Sequence, residues 1–227
     1  AQRTQGRAPV EVLRSDDQGL TFTFTLSELD TSTVICGNEA FLRVGGHGPV
    51  FEERGYPDLP YYSVKFAVPE GTQPRVEVRP EGEDVLFGAP RVLPVPRYED
   101  NGLTPLYRPD PEVYASTTPL PGHTHEVRGP MLNRNQWYCE LKLYPYRYVP
   151  GDNRLSVVHR FRVDVRFEGG SPSGVLVPND PFENIYRTSF INYEEGRKWR
   201  VRPSGSLMNQ PEDPFAGAAF WVKILFT

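Results

Sequence analysis

The stretch Leu155–Phe167, with the sequence LSVVHRFRVDVRF, is the strongest indication of the fold class because apolar and charged residues alternate along it. A spacing of two residues places one set on each face of a β-strand. A sheet with one solvent-exposed face must cover its apolar face with a second sheet or close into a barrel. The apolar face carries Leu155, Val157, Phe161, Val163, Val165 and Phe167, and the opposite face carries Arg160, Arg162, Asp164 and Arg166.

A second apolar strand precedes this stretch and is separated from it by a turn. Its apolar residues alternate from Trp137 through Cys139 and Leu141 to Leu143. The sequence Pro150-Gly151-Asp152-Asn153 contains the residue types that reverse strands. We therefore predict an antiparallel hairpin between 137–143 and 155–167.

Three earlier stretches show the same alternation and extend the predicted sheets. They are 19–27 with Leu20, Phe22, Phe24 and Leu26, 61–69 with Tyr62, Val64, Phe66 and Val68, and 75–79 with Val76 and Val78. The 24 prolines and 20 glycines are typical of many short strands joined by turns. The sequence thus predicts an all-β fold, an antiparallel β-sandwich or partly open barrel over residues 9–178, after a flexible N-terminus at 1–8.

Residues 89–122 form a proline-rich loop within this predicted domain. Because proline donates no ladder hydrogen bond, this segment cannot be a central strand. We expect an extended, polyproline-like excursion across the surface, and long loops of this kind are often functional. The alternative is a loop without a function. The eight prolines lie at positions 90, 94, 96, 105, 109, 111, 119 and 121.

One segment, 179–196, has the pattern of a helix that docks on the domain. Asn179 or Asp180 can cap it, and Pro181 suits its first position, where no N–H is needed. We predict a single short C-terminal helix with its apolar face on the core. That face follows the spacing i, i+3, i+4 and i+8, at Phe182, Ile185, Tyr186 and Phe190.

The residues after this helix indicate a junction between two modules. Arg197, Lys198, Arg200 and Arg202 give a basic start to a predicted flexible linker over 197–219. The apolar run 220–227 then begins a new strand, either an edge of the preceding sheet or the first strand of a following module. A protease that cleaves after basic residues could separate the two modules here.

Composition limits the possible classes of function. The net charge is −4 and no stripe of lysine and arginine interleaves with aromatic residues, so we expect no nucleic-acid partner. No stretch approaches the ~20 apolar residues of a membrane span, so we expect no membrane insertion. Gly45-Gly46-His47-Gly48 lacks the lysine and the following helix of a phosphate-binding loop. We expect no cofactor.

The chain offers no convincing catalytic centre or metal site. Cys139 lies on the apolar face of a predicted strand, which is a core position, and Cys36 carries no nucleophile signature. His123 and His125 share a strand face, but no second cluster matches them. If the protein is exported, Cys36 and Cys139 could form one disulfide; alternatively they are two buried thiols. We do not expect this chain to be an enzyme.

A series of short segments carries a resemblance to a known family. They are Gly55-Tyr56-Pro57-Asp58-Leu59-Pro60, Ala67–Gly71, Val76–Val78, Ala89-Pro90, Pro121-Gly122, Tyr144–Val165, Phe182–Tyr186 and Phe190–Glu194. In order and spacing, over residues 9–197, they resemble the N-terminal prodomain of gingipain-like cysteine peptidases, the caspase-fold enzymes exported by type IX secretion. The resemblance implies a β-sandwich that acts as chaperone and inhibitor. It would precede a catalytic domain with a Cys–His dyad, which this chain lacks.

The resemblance also implies an inhibitory arginine. In that family, an arginine soon after an Ala-Pro step is thought to occupy the acidic specificity pocket of the enzyme. Counted from Ala89-Pro90, this arginine is Arg97, with Arg91 as the alternative in the same loop. Pro96 and its neighbouring prolines would stiffen the loop before binding, which lowers the cost of ordering it. The alternative is that Arg97 is an ordinary surface residue.

A third implication is a site where prodomain and enzyme are separated. The family's junction follows the pattern Asn-Tyr-Glu-x-x-Arg, which here is 192–197, so Arg197 is the predicted cleavage site. Arg200 and Arg202 are the alternatives. After this point the chain departs from the gingipains, because a linker and the stretch Phe220-Trp221-Val222-Lys223-Ile224 follow. This arrangement is more similar to the multi-module relatives, including the surface sortase of type IX secretion.

Three functions are compatible with the sequence. The first is the non-catalytic prodomain of a secreted gingipain-like peptidase, whose partner is the peptidase domain of the same polypeptide. The second is a structural or adhesive β-module retained in a multi-domain surface protein or sortase. The third is a carbohydrate-binding β-sandwich that uses Trp137, Trp199 or tyrosines as stacking platforms. The resemblance implies a protein that is secreted or at the cell surface or periplasm of a Gram-negative bacterium.

Overall fold

The structure is a computed structural model that describes residues 10–26, 30–46, 48–86, 90–99, 102, 104–172, 174, 180 and 182–201. The predicted N-terminus at 1–8, the cap candidate Asn179, Pro181, and the chain from Arg202 through the predicted strand 220–227 lie outside these residues. Within the described ranges, no helix is long and apolar enough to cross a membrane.

Strands make up most of the described chain. The helices are α1 (Pro111–Ala115), α2 (Glu183–Ser189) and α3 (Tyr193–Gly196), followed by a 3₁₀ turn at Arg197–Trp199. The strands are β1 (Val10–Asp16), β2 (Gly19–Thr25), β3 (Thr31–Cys36), β4 (Glu39–Val44), β5 (Gly48–Pro49), β6 (Pro60–Ala67), β7 (Gln73–Leu86), β8 (Arg91–Val92), β9 (Arg97–Tyr98), β10 (Pro105–Leu106), β11 (His125–Asn133), β12 (Gln136–Leu143), β13 (Tyr146–Val149) and β14 (Arg154–Glu168).

Two antiparallel sheets form the body of the fold. The first has the strand order β1-β2-β14-β13, and β7 also pairs along β14. The second has the order β11-β12-β6-β5. Both sheets contribute to one buried core, with Phe22, Phe161 and Val163 from the first and Phe66 and Leu141 from the second. The prediction of an antiparallel all-β sandwich is confirmed, and the described strands do not close into a barrel.

The alternating stretches become the strands that their period predicts. Phe22 and Phe24 of β2 are fully buried, and so is Phe161 of β14. Burying a side chain of this size stabilises the fold by roughly 1.5–3 kcal/mol. On the opposite face, the Thr21 hydroxyl of β2 donates a hydrogen bond to Asp164 Oδ1 of β14, at 2.9 Å. The polar face of β14 is thus tied to its neighbour while the apolar face forms the core.

The predicted hairpin is correct at its turn but wrong in one of its strands. Residues 150–153 form the turn, yet β14 pairs across it with β13 and not with β12. β12 lies in the other sheet, between β11 and β6. The chain changes sheets at Tyr144 and Pro145, where proline interrupts the ladder. The alternation along 137–143 therefore identifies a strand correctly but does not identify its partner.

The proline-rich stretch is only partly the surface excursion that its composition predicts. β8 pairs in parallel with β4, which pairs on its other side with β3. Val92 and Leu93 are buried, each 1% exposed, and so is Tyr114 of α1. No proline falls in β8, so its two residues keep the N–H groups that strand pairing needs. The stretch therefore contributes to the core on both sides of an exposed hairpin.

The last described part of the chain lies across the sandwich, and we call it the C-terminal strap (residues 182–201). The short helix predicted there is confirmed as α2, but it ends at Ser189 and the separate α3 follows it. Phe182, and not Asp180, occupies the N-cap position of α2. Asp180 stabilises the turn before it, since its Oδ1 accepts a hydrogen bond from Phe182 N at 2.9 Å. Tyr186 and Phe190 are buried as predicted, but Ile185 is 50% exposed.

The end of this strap differs from the sequence-based expectation. Trp199 is fully buried and Arg200 is 2% exposed. Residues 197–200 therefore belong to the packed body, where the sequence predicts the start of an exposed linker. The reason is local: Trp199 lies between the basic residues, and burying its indole ring carries its neighbours onto the sandwich.

Candidate functional site

Arg97, the predicted inhibitory residue, begins a small β-hairpin on the surface. β9 and β10 pair in antiparallel register, with Arg97 opposite Leu106 and Tyr98 opposite Pro105. We call the paired strands β9 and β10 the Arg97 hairpin. Arg97 is exposed, and Tyr98 is 53% exposed. The Arg97 guanidinium makes no hydrogen bond or ion pair with any residue in the described part of the chain.

Backbone hydrogen bonds fix the segment that leads into this hairpin. On one side, Leu93 N donates to Leu42 O at 2.8 Å. On the other side, Val95 N donates to Tyr56 O at 2.7 Å. Only the half-buried Pro96 separates these bonds from β9, so Arg97 projects from a fixed base.

Both arms of the hairpin meet at one residue, Gly55. Its N–H donates to Val95 O on the first arm (2.9 Å), and its C=O accepts from Asp110 N on the returning arm (3.0 Å). The φ angle of Gly55 is +87°, a left-handed conformation that favours glycine. A Cβ atom here would lie 3.0 Å from Asp110 N and 3.2 Å from Arg108 O. The two ends of the loop are therefore held at a fixed separation.

The returning arm continues directly into α1. Asp110 caps this helix, since its Oδ1 accepts hydrogen bonds from Glu112 N (3.0 Å) and Val113 N (3.1 Å). The Tyr114 hydroxyl anchors the helix by donating to Val92 O at 2.7 Å. Burial raises the pKa of Tyr114 well above its usual value, so the hydroxyl stays protonated and keeps this bond at neutral pH.

Arg91, the alternative in the same loop, is held differently. Its guanidinium lies over the Tyr114 ring, 5.2 Å from the ring centroid. A cation–π contact of this kind stabilises an exposed site by roughly 0.5–1 kcal/mol. Arg91 would lose this contact on entering a partner's pocket, whereas Arg97 makes no such contact with any described residue. The structure therefore presents Arg97 more freely than Arg91.

The three predicted processing arginines have different environments. The Arg197 side chain is 41% exposed and lies 3.6 Å from Glu194 Oε2. The Arg200 side chain is 2% exposed and pairs with Glu183 through two contacts, Nη1 to Oε2 at 2.6 Å and Nη2 to Oε1 at 3.2 Å. Arg202 lies outside the described residues. A peptide that binds along a cleft does so in extended form, so cleavage after Arg197 or Arg200 requires the end of the strap to leave the body.

Trp199 and Asn192 anchor the strap. The Trp199 indole N–H donates to Asp17 Oδ1 at 2.8 Å, and its ring meets Phe167 edge-on with centroids 5.6 Å apart. The Asn192 side chain acts as a substitute for a strand backbone: its Oδ1 accepts from Ala67 N at 2.8 Å, and its Nδ2 donates to Ala67 O at 3.0 Å. Asn192, the first residue of the predicted junction motif, is therefore an anchor of the docked strap.

Glu183 joins α2 to the end of the strap. Besides its ion pair with Arg200, it accepts a hydrogen bond from the Tyr193 hydroxyl. The Arg200 guanidinium holds the pKa of Glu183 below its usual value, although partial burial acts in the opposite direction. Arg200 also lies over the Tyr186 ring, 4.7 Å from its centroid. Glu183 is thus ionised at neutral pH.

The cysteines are free thiols in the structure, so it does not contain the disulfide considered from the sequence. Cys139 is fully buried, and burial raises the pKa of its thiol to about 12. Such a thiol carries almost no thiolate at neutral pH and is a poor nucleophile. No three His, Cys, Asp or Glu side chains among the described residues are grouped as a metal site requires. The burial of Trp199 also removes one of the predicted sugar-stacking platforms.

The sequence does not single out Gly55 or Trp199 as anchors. Gly55 opens the segment 55–60 that carries part of the family resemblance, and that segment was the available signal for a special backbone position. The contact between Trp199 and Asp17 joins residues 182 positions apart. No local pattern can indicate a contact at this separation.

Solved structures share this architecture. A chain in the complex of Porphyromonas gingivalis RgpB pro- and mature domains is 23% identical, with a TM-score of 0.66, over 83% of this chain and 99% of that chain. A structure of Porphyromonas gingivalis gingipain K, solved for insight into its zymogenic latency, is 20% identical, with a TM-score of 0.58, over 72% of this chain and 94% of that chain. At these identities the similarity shows a shared fold. A search of curated proteins finds no match.

A family model covers nearly the whole chain. The family described as Propeptide_C25 matches residues 1–201, a range that includes the sandwich, the Arg97 hairpin and all of the C-terminal strap. The predicted resemblance to gingipain-like prodomains is thereby confirmed. The chain belongs to the propeptide family Propeptide_C25.

Proposed function

We propose that this chain is the non-catalytic N-terminal prodomain of a secreted, gingipain-like cysteine peptidase with a caspase fold. It assists the folding of the peptidase domain of the same polypeptide and inhibits that domain until it is removed. The observation that carries the inhibitory role is Arg97, an exposed cation on a hairpin whose two arms are both held at Gly55.

Inhibition by the Arg97 hairpin requires an acidic pocket in the peptidase. A guanidinium that enters such a pocket can form two parallel hydrogen bonds with a carboxylate, which gives the contact both strength and direction. Because the base of the hairpin is fixed before binding, little conformational entropy is lost in the complex. A stable complex buries about 800 Å² on each partner, and the sandwich surface around the hairpin would supply this area.

Removal of the prodomain would take place at the C-terminal strap. Arg197 remains the first candidate for cleavage, because its side chain is partly exposed while that of Arg200 is buried in its ion pair. Arg202 is the third candidate. Cleavage after Arg197 or Arg200 would follow undocking of the strap. The docked strap would therefore keep the prodomain attached to the peptidase until the strap separates from the sandwich.

The second candidate function is a structural or adhesive β-module that stays in a multi-domain surface protein or sortase. The burial of Trp199 and Arg200 favours it, since these contacts bind the end of the described chain into the sandwich. Both candidates imply a parent protein that is exported by type IX secretion and lies outside the cytoplasm of a Gram-negative bacterium.

Inhibition assays with purified variants test the first candidate. The full chain is titrated against the mature peptidase domain of its own parent polypeptide. Arg97→Ala should raise the inhibition constant at least about 30-fold, as expected for a hot-spot residue that contributes about 2 kcal/mol. Arg91→Ala is the matched control from the same loop and should change inhibition less than about threefold. Equal inhibition by the wild type and Arg97→Ala would overturn the inhibitory role of Arg97.

A further inference from the structure

We infer that Gly55 is a positioning residue for the Arg97 hairpin, and that it keeps the hairpin in a form that a peptidase binds but cleaves slowly. The inference rests on the proposed function, in which Arg97 occupies the specificity pocket. Gly55 itself touches no peptidase in this proposal. It acts through the two arms of the hairpin, which its main-chain N–H and C=O hold together.

The geometry shows why a single residue can do this. The Gly55 N–H donates a hydrogen bond to Val95 O at 2.9 Å, and the Gly55 C=O accepts a hydrogen bond from Asp110 N at 3.0 Å. The whole loop between Val95 and Asp110, with the Arg97 hairpin at its outer end, is closed by these two bonds. The arms cannot separate at the base unless one of the bonds breaks, whatever side chains the hairpin carries.

When an arginine occupies the specificity pocket of a peptidase, the peptide bond that follows it is normally cleaved. Because the base of the Arg97 hairpin is held closed, we expect this cleavage to be slow. Hydrolysis of the Arg97–Tyr98 peptide bond consumes one water and leaves a carboxyl group on Arg97 and an amine on Tyr98. The arms are held at Gly55, and β10 pairs along the cut strand, with Leu106 opposite Arg97 and Pro105 opposite Tyr98, so the two new ends stay next to each other. The reverse reaction, which reforms the peptide bond and releases the water, then competes with dissociation because the reacting groups are kept close. The hairpin is therefore retained as an inhibitor.

The conformation of Gly55 makes Gly55→Ala a direct test of its positioning role. Gly55→Ala places a Cβ atom 3.0 Å from Asp110 N and 3.2 Å from Arg108 O, so the returning arm has to move. Gly82→Ala is the matched control, since Gly82 also has a positive φ, +70°, but a Cβ atom there meets nothing within 4 Å. Both variants carry the same kind of backbone strain, and only one of them acts on the hairpin.

A second pair of variants removes one hydrogen bond and covers the case in which Gly55→Ala does not fold. Asp110 has φ −70°, a value that proline adopts, so Asp110→Pro removes the N–H that donates to Gly55 with little backbone strain. This variant also loses the side chain that caps α1. Asp110→Ala loses the same cap but keeps the N–H, so the difference between the two variants isolates the bond to Gly55.

The experiment measures inhibition of the parent's peptidase domain together with the rate at which Arg97–Tyr98 is cut, both by that domain and by trypsin. We expect Gly55→Ala to raise both the inhibition constant and the cleavage rate at least about tenfold relative to Gly82→Ala. Asp110→Pro should likewise raise both quantities at least about tenfold relative to Asp110→Ala. A purely structural role for Gly55 would lower thermal stability in both members of a pair without accelerating this one cut.

The outcomes separate the inference from the function on which it rests. If Arg97→Ala abolishes inhibition but Gly55→Ala inhibits and resists cleavage as Gly82→Ala does, the role of Arg97 stands and the positioning role of Gly55 is overturned. If Arg97→Ala inhibits as the wild type does, the proposed function fails. The trypsin measurement then still decides whether Gly55 holds the hairpin, because it does not depend on the parent's peptidase.

Discussion

Replacing Trp199 with alanine should release the end of the C-terminal strap and expose its arginines to proteolysis. The Trp199 ring is fully buried against Phe167, and its indole N–H donates to Asp17. Loss of a buried tryptophan side chain costs about 3–5 kcal/mol, of which the hydrogen bond to the exposed Asp17 supplies about 0.5–1.5 kcal/mol. Because these contacts join the strap to the sandwich, their loss first favours local undocking of 197–201.

Limited digestion with trypsin, followed by mass spectrometry, measures this undocking. When opening and closing are fast relative to cleavage, the cleavage rate follows the population of the open form. A loss of about 3 kcal/mol raises that population about 100-fold, since each 1.4 kcal/mol is a factor of ten. We therefore expect the cut after Arg200 to appear about 100-fold faster in Trp199→Ala. The cut after Arg97, on the exposed hairpin, is the internal standard and should keep its rate.

The matched control is Ile185→Ala, because the Ile185 side chain lies on the same strap but is 50% exposed. It should leave the cut after Arg200 unchanged. Cleavage after Arg200 at the same rate in the wild type and in Trp199→Ala would show that Trp199 does not hold the strap in place. An equal acceleration at Arg97 and Arg200 would indicate unfolding of the whole domain, which also contradicts local undocking.

Three further predictions concern the strap and the thiols. Since Arg200 lowers the pKa of Glu183, the stability from this pair is fully present above the usual value of 4.5 and is lost as the pH falls through the lowered value. The difference in unfolding free energy between the wild type and Glu183→Gln should therefore shrink as the pH falls below about 5, and a constant difference would contradict this. A thiol reagent at about pH 8 should label the partly exposed Cys36 but not Cys139 in the native protein, and both in denaturant without reductant; two unreactive cysteines in denaturant would instead indicate a disulfide. Asn192→Ala should lower the free energy of unfolding by about 2–4 kcal/mol, because the buried N–H and C=O of Ala67 both lose their partner, and denaturant unfolding within about 0.5 kcal/mol of the wild type would rule this out.

Local sequence pattern predicted the short helix and the strands β2, β6, β12, β14 and part of β7, but it did not identify the other strands. β2, β6 and β14 follow a period of two because each packs alternate, apolar residues into the core, and this period is present directly in the sequence. β12 and β13 show what the period does not predict. The period identifies a strand, but the sheet that it joins depends on packing with residues distant in sequence, and here Pro145 sends the chain across the sandwich between the two.

The site is only partly readable from the sequence. The exposure of Arg97 follows from its position among prolines in a long loop, whereas the bonds of Gly55 to Val95 and Asp110 join segments far apart along the chain. In sequence, the run 197–202 resembles an exposed basic linker because the sequence does not show which acidic residues pair with its basic residues. In the fold, Glu183 neutralises Arg200, so that this residue is buried with the strap.

A removable prodomain should be missing from the mature form of its parent protein. Intact-mass measurement and N-terminal sequencing of the full-length parent, as secreted, decide whether it is. We expect a mature protein that has lost everything through Arg197, Arg200 or Arg202. A mature protein that still contains residues 1–197 would overturn the prodomain role and would identify the chain as a retained module.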